Sequence, residues 1–258
     1  MKSILKYTLA VAATFAITQQ SNAQTYVSLS GGLTKMQSSS NAGELTSPYI
    51  TGAGTTIPAG TTLATGTSLS WNTKFKSGYN AGIAAGHSYG NGVRGEIEVR
   101  YLRNSISSHN SVAAGGGALG TEDAGVLLTG SGNLGANVAT IVSAGTGKTS
   151  TWAFMVNGYY DFMPEQVFTP YIGIGVGYAD TDVVFAPSDV AIASSGNGGF
   201  AYQGIIGGLY NISEKAGIFA EYRYFARDKV RVDLSLLPGY LDVDNKAHLF
   251  NVGLRVNF

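Results

Sequence analysis

The sequence predicts an all-β chain that closes as an eight-stranded antiparallel up-and-down transmembrane β-barrel with long extracellular loops. Three observations predict it. The last segment, residues 248–258, sets Phe250, Val252, Leu254, Val256 and Phe258 on one face and Asn251, Gly253, Arg255 and Asn257 on the other, the period of two of an amphipathic strand. Seven earlier segments repeat such alternation, and the connections between them run long, short, long, short to the end of the chain, as they do when one barrel end carries tight turns and the other carries loops. No run of about 18 apolar residues follows the N-terminus, so a helical membrane span is excluded.

Composition narrows the chemistry. The 258 residues include 36 Gly, 15 Tyr and 11 Phe, no Cys, and only 12% charged residues with zero formal net charge. A neutral balance gives no footprint for nucleic acid. Without Cys there is neither a disulfide framework nor a thiolate metal site.

Residues 1–23 have the pattern of a secretory signal peptide: Lys2 and Lys6, a short apolar run over 9–17, and the small-x-small site Ser21-Asn22-Ala23. That leaves 24–258 as the barrel domain. The first strand covers 26–33. The second covers about 71–87, with Phe75, Tyr79, Ala81, Ile83 and Ala85 on one face, and Asn91-Gly92 marks the tight turn after it. The third, 93–103, turns Val93, Ile97, Val99 and Tyr101 one way and Arg94, Glu96, Glu98 and Arg100 the other. The fourth, 151–162, alternates Trp152, Phe154, Val156, Tyr160 and Phe162 with Met155, Asn157, Tyr159 and Asp161. In the fifth, 168–178, Gly173, Gly175 and Gly177 share one face, a small-residue stripe that leaves room for bulky side chains opposite. The sixth, 200–210, is apolar on both faces, and the seventh, 217–226, sets Glu221 and Arg223 opposite Ile218, Ala220, Tyr222 and Tyr224. Long, largely irregular loops are expected at about 36–72, 104–149, 180–199 and 227–246.

Two further patterns fit a barrel. With the first strand running outward, Tyr26, Tyr160, Phe162, Phe168, Tyr210 and Phe258 are expected at the periplasmic rim, and Phe75, Tyr101, Trp152, Tyr178, Phe200 and Tyr224 at the outer rim, the two aromatic girdles of membrane interfaces. The charged residues Arg94, Glu96, Glu98, Arg100, Asp161, Glu221, Arg223 and Arg255 are expected to face a narrow lumen and pair across it in a plugged, neutral network. A slip by one residue would turn the charges of the third strand to lipid, at about 2–4 kcal/mol per Arg near the midplane.

On these strands the chain resembles the small eight-stranded outer-membrane barrels of the OmpA/OmpX type, and more specifically bacterial surface-antigen, opacity-type and "porin-family" proteins. The phrases that carry the resemblance are residues 75–82, 94–101, 157–162, 169–177, Tyr202-Gln203, 221–224 and Phe258. It implies a surface antigen or adhesin of the outer membrane, with a possible host or matrix protein as partner through the loops. It also implies contact with outer-membrane lipids and with the barrel-assembly machinery, for which Phe250 and Phe258 of the last strand are the expected signal.

Sites for chemistry are sparse. His87, His109 and His248 are dispersed, which disfavours a metal centre, and no cofactor is expected. His109 and Ser111 form a His-x-Ser pattern, but within an expected loop, so a lipid-modifying enzyme is the weaker reading and a solvated histidine the stronger. A small diffusion porin is the first alternative and requires an open lumen. In the fourth loop, Val230, Val232, Leu234 and Leu236 alternate with polar residues as a hairpin above the membrane. Its tip residues Leu236, Leu237 and Tyr240 are either a contact patch or pack against the second loop.

Overall fold

A computed structural model of the chain describes residues 24–52, 58, 60–128, 134–143, 146–186 and 193–258. The expected signal peptide, 1–23, lies outside the described residues. The elements in order are β1 (Gln24–Met36), β2 (Ser39–Leu45), β3 (Tyr49–Ile50), β4 (Thr62–Leu63), β5 (Ser68–Phe75), β6 (Gly78–Ser88), β7 (Val93–Ala114) and β8 (Gly117–Ala118). Then follow α1 (Ala124–Leu128), α2 (Val138–Ser143), β9 (Gly147–Asp161), β10 (Phe168–Phe185), β11 (Ala193–Ser213), β12 (Ala216–Asp233) and β13 (Gly239–Asn257).

Eight of these strands form a closed ring, β1-β6-β7-β9-β10-β11-β12-β13, and every neighbour pair is antiparallel. Closure is made by β1 against β13, from Tyr26 opposite Asn257 to Met36 opposite Ala247. The ring leaves no free edge, so every strand of this segment satisfies its backbone groups within the wall, as a bilayer requires. The outer surface inverts the usual burial rule. Leu33, Ile174 and Val252 are among its most exposed side chains, at 64%, 75% and 65%. A continuous band of exposed Leu, Ile, Val and aromatic residues around a closed ring is a surface built for lipid.

The three short connections lie at one end of the barrel. At the first, Gly92 adopts φ 83° and its backbone comes so close to the Asp161 carbonyl that a Cβ would stand 2.7 Å from that oxygen. Glycine is therefore required there for both conformation and space. At the other end the wall continues above the band. β2 pairs with β13, and β5 pairs with β2 and β7, so they carry on the places of β1 and β6. The loops expected at 36–72 and 104–149 thus contribute paired strand at their membrane-proximal parts, β2 and β5 in the first and the upper half of β7 in the second, with two short helices in the second. We call this upper structure the crown.

The inside of the barrel is layered. Along β7, Arg94, Glu96, Glu98 and Arg100 are followed by Leu102, Asn104 and Ile106, all buried. The charged layer is interleaved with a cluster of Tyr159, Tyr171, Ile205, Leu209 and Phe219, Arg94 lying opposite Tyr159 and Arg223 opposite Ile205. It is capped by a second cluster that includes Leu102, Met155, Phe225 and Leu249. Buried Thr151, Thr181 and Asn245 come next, linked by hydrogen bonds of 2.9 and 3.2 Å. The crown core of Leu45, Trp71, Ile106, Phe185 and Val230 closes the top.

Two aromatic expectations are corrected. Tyr26 is not at the rim but wholly buried in the lumen. It shares the parity of Ser28 and Ser30, while Val27 and Leu29 face outward. Gly86 opposite it leaves the space its ring fills. Phe75 also turns inward and packs on both upper clusters. The cause is a change of parity between β5 and β6. Odd residues Leu69, Trp71 and Thr73 face in on β5, and even residues Asn80 and Ala84 face in on β6. The break at Lys76-Ser77 absorbs the offset.

Candidate functional site

The lumen network centres on Glu98. Its Oε2 accepts from Arg223 Nη1 at 2.6 Å, Asn157 Nδ2 at 2.9 Å and Gln203 Nε2 at 3.2 Å. Its Oε1 accepts from Arg100 Nε at 2.7 Å. Arg223 Nε donates in turn to Glu221 Oε1 at 2.6 Å. β7 and β12 are third and seventh in the ring, so the contact between Glu98 and Arg223 crosses the lumen. Arg100 also donates to Asn80 and, at 2.9 Å, to Ser30. Closer to the short turns, Arg94 Nε donates to both oxygens of Asp161 at 2.8 and 3.0 Å. Its guanidinium lies 3.8 Å from the centre of the Tyr159 ring. Glu96 accepts from Tyr26 at 3.1 Å and Tyr159 at 2.9 Å.

Arg255 is the exception. No carboxylate lies within ion-pairing distance of it among the described residues; it donates to Asn257 at 3.0 Å and stacks 4.0 Å from the Tyr26 ring centre. Tyr26, Tyr159, Tyr171, Asn80, Asn157 and Gln203 complete the network. None of these was singled out from sequence as a member. Parity was the signal for Asn157 and Tyr159, which share a strand face with Asp161; Tyr26, Asn80, Tyr171 and Gln203 lie on strands that carry none of the eight charged residues.

The fit of the fifth strand's glycines explains how so much fits inside. A Cβ at Gly173 would meet the Tyr159 ring at 2.5 Å, and one at Gly175 would collide with Asn157. The cavity left between Tyr26, Arg94, Tyr159, Glu221 and Arg255 is about 20 Å³, room for about one or two waters. Ion pairs this deep contribute little net stability against an apolar filling, but removing one partner strands the other.

The crown is the second element of the site. Trp71, Ile106, Phe185, Val183 and Val232 form its core. His109 lies on β7 within it, 2% exposed, which corrects the expected solvated loop position. Its Nδ1 is 2.9 Å from Thr73 Oγ1, and its ring packs edge-on against Trp71 and Phe185. Burial pushes its pKa down to about 4. Ser111 is exposed and donates to Asn110, so the two residues of the His-x-Ser pattern face different surroundings. In the second loop Asp123 accepts from the backbone N–H groups of Gly125, Leu134 and Gly135 at 2.8–2.9 Å. These donors, led by Leu134, hold its carboxyl below the ordinary range.

Leu236, Leu237 and Tyr240 do not form one exposed patch. All three are half-buried. Leu237 packs on the crown core beside second-loop residues. Tyr240 donates to Glu44 of β2 at 3.0 Å and lies under the Arg231 guanidinium at 3.8 Å. Arg231 itself is held by Asp242 at 3.0 Å. Phe250 and Phe258 both face outward, at 53% and 78% exposure. Among the described residues, no three His, Asp or Glu side chains are grouped to hold a metal ion.

A closed ring with a lipid-facing band and a filled lumen is now established, and comparison with known proteins agrees with it. The model of the family described as surface antigen matches residues 20–233. The chain belongs to that family. Among curated relatives, an outer membrane protein of Gluconacetobacter diazotrophicus is 26% identical over 204 residues, covering 70% of this chain and 47% of its own length. Outer membrane protein PagN of Salmonella typhimurium is 36% identical over 105 residues, covering 36% of this chain and 43% of its own. The chain thus spans about half the length of the curated relatives it matches. The crystal structure of the outer membrane protein OprG from Pseudomonas aeruginosa superposes with a TM-score of 0.53 at 16% identity, covering 90% of this chain and 95% of that one. The likeness is one of fold. The surface-antigen chain is therefore an outer-membrane β-barrel.

Two outcomes follow from this geometry. Glu98→Ala leaves Arg100 and Arg223 without their shared carboxylate in the lumen. Urea unfolding of the barrel refolded in lipid vesicles should show a loss of about 3–5 kcal/mol, with part of it recovered when Arg223→Ala is added. An unchanged midpoint would sink the assigned role of Glu98. His109 behaves differently. Its folded-state pKa is about 4 against an ordinary 6.5, so the unfolded crown binds the proton first. Crown stability should be full above about pH 6.5, fall as pH drops towards 4, and fall no further below that. Hydrogen exchange of β5 and β7 amides across this range should show the loss, and His109→Gln should flatten it.

Proposed function

We propose that this surface antigen is a non-enzymatic outer-membrane protein that displays its crown outside the cell and binds a host or matrix protein through it. In this reading residues 1–23 direct export, both termini lie in the periplasm, and the four long connections face outward. The filled lumen is the observation that carries it: with ion pairs, tyrosines and apolar layers stacked inside, the wall supports display better than passage. The family's description as surface antigen supports the same reading. The absence of a paired base and nucleophile at His109 and Ser111 argues against a lipid-modifying enzyme.

The deciding experiment pairs conductance with binding. The mature protein, folded as judged by heat-modifiable gel mobility, should give no steady conductance in a planar bilayer. Cells displaying it should adhere to immobilised matrix proteins or host cells, and brief surface proteolysis of the crown should abolish adhesion while the barrel stays folded. A stable, reproducible conductance with no adhesion would replace this reading with the diffusion porin.

The last strand is proposed to carry the signal for the barrel-assembly machinery through outward-facing Phe250 and Phe258. Phe258→Ala should lower the folded fraction in the outer membrane several-fold while leaving refolding from denaturant into lipid unaffected. Equal loss in both settings would make Phe258 a packing residue instead.

A further inference from the structure

The crown holds a cavity of about 70 Å³. Its wall is drawn from three parts of the chain distant in sequence: Leu63, Leu69 and Trp71 of the first loop, Val112 and Ile141 of the second, and Leu237 of the β12–β13 hairpin. No polar atom of these or of the other described wall residues faces the space. Protein interiors normally close such gaps, leaving few voids larger than a water. This one exceeds the roughly 10–15 Å³ that a single water needs, but offers water no partner, and apolar cavities of that kind stay dry.

We infer that the crown cavity is a binding site for a small, uncharged, predominantly apolar molecule, the size of a short branched hydrocarbon. An apolar cavity of about 150 Å³ admits benzene, so a guest smaller than a full ring suits this space. Charge is excluded because the wall holds nothing to pair with it. Trp71 is nine-tenths buried and forms part of the wall, so its ring reports on the space. The inference does not depend on the adhesin reading.

The chain has two tryptophans, Trp71 and Trp152. Trp152 faces outward on the lipid side, so Trp152→Phe leaves Trp71 as the sole reporter. The barrel in lipid nanodiscs is titrated with 2-bromopropane, an uncharged apolar quencher, and separately with bromoacetate. Saturable quenching of Trp71 by 2-bromopropane is expected, with none by bromoacetate. Ala114→Leu fills the cavity and should raise the half-saturating concentration at least about tenfold. Quenching that stays linear with concentration and is unchanged by Ala114→Leu would overturn the site. If Ala114→Leu does not fold, Leu63→Ala decides. Enlarging the cavity should make bromobenzene a saturable quencher with a lower half-saturating concentration than in the parent, and no gain would equally overturn it.

Discussion

The contact between Glu98 and Arg223 across the lumen is the constraint on which the rest of the barrel depends. It joins β7 to β12, strands on opposite sides of the ring, at 2.6 Å. Glu98 also holds Arg100, and Arg223 also holds Glu221, so four charges and their amide and phenol neighbours lock one register. In strands with a period of two, a slip of β7 or β12 by one residue would turn that strand's pair of these charges to lipid. The network is therefore less a source of net stability than a selector among registers, since buried ion pairs gain little over apolar filling but are severe when misplaced.

The small residues of β10 are the counterpart of that network. Gly173 and Gly175 give up their side-chain volume to Tyr159 and Asn157, and Asn157 then reaches both Glu96 and Glu98. Above the charges the interior becomes apolar, then hydroxyl- and amide-lined, then apolar again. An eight-stranded wall is narrow enough for side chains to fill it, and here they fill it in layers.

The crown extends the wall rather than hanging from it. β2 and β5 replace β1 and β6 in the ring as the chain rises, and the change of parity at Lys76-Ser77 lets one chain serve both levels. The consequence is that Trp71, Phe75 and His109 enter a second core outside the membrane band. The fourth-loop hairpin closes on this core through Leu237, and Tyr240 and Arg231 pin its flank to β2 and β13. The crown is thus built on packed strands rather than on loops alone.

Alternation by itself determined the eight strands, the outward apolar band and the inward Arg94, Glu96, Glu98, Arg100, Glu221 and Arg223, because in a membrane the face of each residue has an all-or-none solvent. Parity also held the placing of Tyr26, which shares the face of Ser28 and Ser30, although its ring chemistry suggests an interface. What only the tertiary structure decided was everything set by contacts between distant strands: the strand pairing of loops rich in Gly, Ala and Ser, the inward turn of Phe75, the buried place of His109, and which carboxylate each guanidinium meets. Local sequence carries the period of a strand, but not the partner that pairs with it, and a bulge or a two-residue break reverses the face without leaving a distinctive residue behind.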